Sequence, residues 1–178
     1  LQGRAPVCLR VNLARTTVAA ARDALAEEGV QTAPNPLAEG ALMVTEGARR
    51  IRNSRAFAQG LIELQDAASQ AVVAALPKGG RVLDYCAGGG GKALALAMDP
   101  ARRIDAHDID PRRMADLPSR AARAGAEIAP VDAAGVQQGA PYGLVLCDAP
   151  CSGSGAWRRA AEGKWTLTPE RLEELTRV

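Results

Sequence analysis

The stretch that most constrains the fold is Arg81-Val82-Leu83-Asp84-Tyr85-Cys86, followed by Ala87-Gly88-Gly89-Gly90-Gly91-Lys92. A short apolar run bounded by turn residues reads as a buried strand. Consecutive glycines let the chain turn sharply and bring bare backbone up to a ligand. Helix then follows over residues 92–98. Residues 103–109 read as a second strand, with Pro111 opening the next helix. Residues 127–132 read as a third strand, which Pro130 sends to an edge or an irregular end. Residues 143–148 are a fourth, and Pro169 opens a last helix. Strands alternating with helices predict an α/β fold with a parallel, Rossmann-like sheet and right-handed crossovers.

The first third reads differently. Residues 7–12 alternate as a strand, and Thr16 or Thr17 caps a helix that stops at Gly29. Pro34 and Pro36 punctuate a loop, and short strands fall at residues 41–44 and 61–64. Asp66 caps a helix over residues 67–76. The expected division is a small α/β module at 1–65 and a second domain at 66–178.

In an open parallel sheet, ligands bind beyond the carboxyl ends of the strands. Here those ends carry Asp84, Asp108, Asp132 and Asp148. Asp108 lies 17 residues after Gly91, where a second-strand acid receives ribose hydroxyls. A nucleotide P-loop is excluded, because Cys86 replaces its first glycine and Ala93 follows Lys92. A dinucleotide fingerprint is formally present as Gly88-x-Gly90-x-x-Ala93. S-adenosylmethionine suits the site better: its sulfonium is a cation, and the strand ends are acidic. Each aspartate has a second reading as the cap of the following helix.

Asp148-Ala149-Pro150-Cys151 would leave the fourth strand at the mouth of that crevice, with Gly153 and Gly155 turning the chain behind it. A carboxyl with a thiol suits pyrimidine chemistry. Carbon 5 of cytosine becomes nucleophilic once a thiolate adds at carbon 6, and a carboxylic acid at ring nitrogen 3 stabilises the adduct. The plainer reading is that Asp148 caps a turn and Cys151 is a small buried residue.

Net charge is only +2, but arginine clusters at Arg49, Arg50, Arg52 and Arg55, at Arg112 and Arg113, and at Arg158 and Arg159. Such clusters neutralise phosphates or form solvated salt bridges. Aromatic residues are 3% of the chain, so platforms for stacked bases are few. Trp157 and Trp165 either hold flanking nucleotides or pack the last helix. Cys8, Cys86, Cys147 and Cys151 do not make a secreted disulfide framework, two of them being expected inside buried strands. The expected setting is a reducing cytoplasm, with no membrane span and no metal.

Together these residues resemble the Sun/Nop (RsmB-like) family of RNA cytosine-5 methyltransferases, and its bacterial ribosomal RNA members most of all. The resemblance runs through Leu9-Arg10-Val11-Asn12, Phe57-Ala58-Gln59-Gly60, Gln65-Asp66-Ala67-Ala68-Ser69-Gln70 and the turn up to Lys92. Its most specific part is Asp148-Ala149-Pro150-Cys151-Ser152-Gly153-Ser154-Gly155. It implies a class I methyltransferase fold, S-adenosylmethionine as cofactor, and RNA as partner, ribosomal first and transfer RNA second. Cys86, Ala87, Gly88, Gly89, Gly90, Gly91 and Lys92 would line the cofactor. Asp108 would hold the ribose, Asp132 the adenine amino group, and Asp148 the cytosine and the cofactor edge. Cys151 would help release product. Two positions depart from the family: Gly89 replaces a proline, and Ala93 often a threonine. The family's adduct-forming cysteine lies in a Thr-Cys-Ser motif on the next strand, and none follows Cys151. The expectation is therefore a fragment whose sheet is incomplete at its C-terminal side and which does not methylate alone.

Overall fold

The structure is a computed structural model that describes residues 5–149 and 151–177. Residues 7–147 form one compact unit, and residues 148–177 belong to another with residues 5–6.

The larger unit holds two sheets. The first contains β1 (Cys8–Val11), β2 (Gln31–Pro34), β3 (Ala41–Glu46) and β4 (Ile62–Leu64), in the order β2-β3-β1-β4 with antiparallel neighbours. Helix α1 (Val18–Glu27) follows β1, with Thr17 accepting from the Ala20 amide. A 3-10 turn (Ala48–Asn53) and short helix α2 (Arg55–Ala58) lead into β4. Leu9, Val11, Leu25, Val30, Leu42, Ile51 and Ile62 close this core, each at most 1% exposed. The sequence predicts a loop around Pro34, where β2 lies. Gln-Thr-Ala-Pro is too short and polar to show periodicity. Pro34 is tolerated there because an edge strand leaves one row of amides outside the ladder.

The second sheet contains β5 (Gly80–Asp84), β6 (Arg102–Ala106), β7 (Ile128–Pro130) and β8 (Leu144–Leu146). Its order is β7-β6-β5-β8, and all pairs are parallel. Helix α3 (Ala67–Ala74), capped by Asp66 as expected, precedes β5. Helices α4 (Gly91–Leu96), α5 (Leu117–Ala124) and α6 (Ala133–Gly139) make the crossovers. Val82, Leu96, Ile104 and Leu117 close the second core, with Val73 and Ala93. Pro130 sits on the edge strand, as its missing amide requires. Helix α6 is not predicted from the sequence, because Ala-Ala-Gly-Val-Gln-Gln-Gly carries no apolar stripe. β5, β6 and β8 all stop short of the expected lengths. Cys86 and Cys147 therefore lie in loops past their strands, half-buried and exposed, whereas the sequence reading placed two cysteines inside buried strands.

In the other unit, a 3-10 turn (Ser154–Ala156) precedes α7 (Gly163–Thr166) and α8 (Pro169–Thr176). Thr168 caps α8 by accepting from the Arg171 amide. Trp157 is half-buried and Trp165 is 78% exposed, with the Lys164 ammonium 4.6 Å from its ring centre. Among the described residues no helix is long and apolar enough to cross a membrane.

Candidate functional site

The parallel sheet grows outward from β5 through β6 to β7, then returns to place β8 on the far side of β5. Strand order reverses between β5 and β8, and such a switch point opens a crevice beyond the strand ends. The glycine turn stands at that place. Gly88 (φ 51°) and Gly90 (φ 78°) lie in the left-handed region. A Cβ at Gly90 would overlap the Leu117 side chain, so glycine is required there for packing as well as conformation.

The turn is tied to the end of β6. The His107 amide donates to Asp84 O and the Ala87 amide to His107 O, each at 2.8 Å. The Gly88 amide donates to Asp108 Oδ2 at 2.9 Å. Asp108 is 2% exposed, also accepts from the Asp110 amide, and pairs with Arg113 at 3.2 Å. Asp84 is buried at the foot of the turn. Asp132 is exposed and caps α6, its Oδ1 accepting from the Gly135 amide at 2.8 Å.

The turn is braced from behind by residues that sequence reasoning did not assign to the site. Arg10 Nη1 donates to Gly91 O at 2.8 Å, and Gln65 Nε2 donates to the same oxygen at 3.0 Å. Arg10 also donates to Gln65 Oε1, and Arg120 to Gly89 O. Glu63 balances these cations, with Arg123 at 2.7 Å and Arg120 at 3.5 Å. Burial pulls the Arg10 guanidinium down to about 10, with Glu63 opposing and Arg120 adding to the fall. Arg10 remains charged at neutral pH. No local signal marks these residues, because Arg10 reaches Gly91 across 81 positions.

On the other side of the switch point, Cys86 Sγ and Cys147 Sγ stand 3.9 Å apart. Partial burial first, then the Cys147 thiol, push the Cys86 thiol up to about 11. Asp148 and Cys151 belong to the other unit, where both are exposed. Pro150 lies outside the described residues. No group of three or more metal-ligating side chains occurs among the described residues.

The donor set fits an S-adenosyl group. The turn offers backbone at Gly88 and Gly90, and buried carboxylates line the strand ends. Arg113, the cation on Asp108, has a side chain 48% exposed.

A parallel sheet with this order, a glycine turn and acidic strand ends defines a Rossmann-like class I methyltransferase fold. Residues 71–178 match the family described as 16S rRNA methyltransferase RsmB/F, and residues 1–50 match the ferredoxin-like domain of RsmF/B-like methyltransferases. The chain belongs to this RsmB/F family. Ribosomal RNA small subunit methyltransferase B of Xanthomonas campestris is 36% identical over 165 residues, 87% of this chain and 38% of that protein. The solved structure of PH0851 has a TM-score of 0.89 at 29% identity, covering 99% of this chain and 42% of its own. A methyltransferase homolog from Pyrococcus horikoshii has a TM-score of 0.76 at 28% identity, covering 94% of this chain and 63% of its own. The chain thus spans about two fifths of the curated relatives it matches, 38% and 42% of two of them.

Proposed function

We propose that the chain carries the cofactor-binding part of an S-adenosylmethionine-dependent RNA methyltransferase that modifies carbon 5 of a cytosine in ribosomal RNA. The observation that carries this reading is the glycine turn anchored through the Gly88 amide to buried Asp108 beside the switch point. In this reading residues 1–65 are an accessory module and residues 66–178 the methyltransferase part.

S-adenosylmethionine would supply the methyl group. Residues 86–92 would line it, with Asp108 accepting from the ribose hydroxyls and Asp132 from the adenine amino group. Capping α6 uses only one of the two Asp132 oxygens. Asp148 would hold ring nitrogen 3 of the flipped cytosine. A thiolate adding at carbon 6 makes carbon 5 nucleophilic, and Cys151 would assist release once the carbon 5 proton is removed. RNA phosphates would meet the exposed arginines of the 3-10 turn and α2. Arg55 already pairs there with Glu27 and Glu28, while Arg49 and Arg52 make no ion pair among the described residues.

Calorimetry decides the cofactor. Saturable binding of S-adenosylhomocysteine and none of NAD is expected, and the reverse would reject the reading. Nucleoside mass spectrometry of small-subunit ribosomal RNA treated with the whole protein decides the base. 5-Methylcytidine is expected, and any other methylated nucleoside rejects the cytosine-5 assignment.

A further inference from the structure

Cys86 and Cys147 emerge from β5 and β8, the two strands that flank the switch point. The ladder aligns Asp84 with Leu146, and the Tyr85 amide donates to Leu146 O at 2.8 Å. Neighbouring strands run about 4.8 Å apart, within the Cα separation that a disulfide spans. With the sulfurs 3.9 Å apart, side-chain rotation and a small shift of the turn bring them to bonding distance. Cys147 is exposed and open to a soluble reagent. Of the other two cysteines, Cys8 is buried in β1 and Cys151 lies in the other unit. The proposed transfer chemistry uses neither the Cys86 nor the Cys147 sulfur.

We propose that Cys86 and Cys147 form a thiol-pair modification site, which a two-electron oxidant of the hydroperoxide class closes into a disulfide at the mouth of the cofactor crevice. The exposed Cys147 reacts first. Its thiolate attacks a peroxide oxygen, the O–O bond breaks, and the departing hydroxide leaves as water after protonation. Cys147 is now a sulfenic acid, oxidised by two electrons. The Cys86 thiol gives up its proton as its sulfur attacks Cys147, forming the S–S bond and breaking the S–O bond, and the departing hydroxide takes a proton and leaves as a second water. Two thiols and one hydrogen peroxide give one disulfide and two waters. A dithiol reductant reverses the change.

The bond acts on the cofactor turn because Cys86 immediately precedes the amides that anchor it. The Ala87 amide holds His107 O, and the Gly88 amide holds Asp108. Drawing Cys86 toward β8 pulls both out of line. This consequence, unlike the disulfide itself, rests on the S-adenosylmethionine reading.

The test treats the 178-residue chain with hydrogen peroxide and maps the peptides without reduction. The expected result is a mass loss of two hydrogens, a Cys86–Cys147 crosslink, and none of either in Cys147→Ser. Sulfinic acid at Cys147 without a crosslink, a bond through Cys151, or a crosslink between chains would each overturn the site. Calorimetry with S-adenosylhomocysteine should show roughly tenfold or weaker binding after oxidation, restored by dithiothreitol. Cys147→Ser should bind like the untreated protein before and after peroxide. A crosslinked protein with unchanged affinity rejects the effect on the turn. A reduced protein that binds no S-adenosylhomocysteine rejects the proposed function, while the peptide map still judges the disulfide.

Discussion

Gly90 shows how a single residue can be fixed twice, by its own backbone and by a neighbour. Its left-handed φ penalises any side chain, and Leu117 fills the space a Cβ would need. Gly90→Ala should therefore destabilise the fold by about 2 kcal/mol or more, read from the urea midpoint. Asp132 poses a question of role. Removing its carboxylate in Asp132→Ala deletes the α6 cap and should cost about 1 kcal/mol. If Asp132 also receives adenine, S-adenosylhomocysteine affinity falls with it; a cap alone leaves affinity unchanged. Cys86 carries a pH signature. Its thiol is raised from an ordinary 9.0 to about 11, so between those values the folded chain holds a proton that the unfolded chain releases. The stability from the neutral thiol is complete below pH 9 and is lost as pH rises toward 11. Melting temperature should fall more steeply across that window in the native chain than in Cys86→Ser, which does not titrate there.

At the scale of elements, the antiparallel sheet supports the glycine turn. β1 supplies Arg10 and the residue after β4 is Gln65, so two neighbouring strands converge on one carbonyl of the turn. The chain after β1 also reaches the far end of α5. Asn12 Nδ2 donates to Ala124 O at 2.9 Å and Arg15 Nη1 to Arg123 O at 2.9 Å, where the helix presents unsatisfied carbonyls. Gln65→Ala should cost about 1 kcal/mol in stability and weaken S-adenosylhomocysteine binding, although Gln65 is assigned no contact with the cofactor. A stability loss with unchanged affinity would confine Gln65 to a packing role. Elements with strong local signatures were legible in the sequence: α1 between Thr17 and Gly29, α3 behind Asp66, α8 behind Pro169. β2 and α6 were not, because each is short, polar or glycine-bearing, and is held by what it packs against.

At the scale of the whole chain, the brace has a thermodynamic consequence. Arg10, Gln65, Glu63, Arg120 and Arg123 join both sheets within the unit of residues 7–147. That unit should melt in one cooperative step, with calorimetric and van't Hoff enthalpies equal. Two resolved transitions would show that the sheets hold independently. The sequence by itself determined the α/β alternation, the glycine turn, the acids at the strand ends and the caps of α1 and α3. All of these follow from period, φ restriction and hydrogen bonding within a few residues. Only the tertiary structure decided that β8 returns beside β5, that Cys147 thereby meets Cys86, and that Arg10 holds Gly91. Each joins residues some 60 to 80 positions apart, 61 for the thiols and 81 for the guanidinium. Such contacts depend on how the chain closes on itself, which no local pattern records.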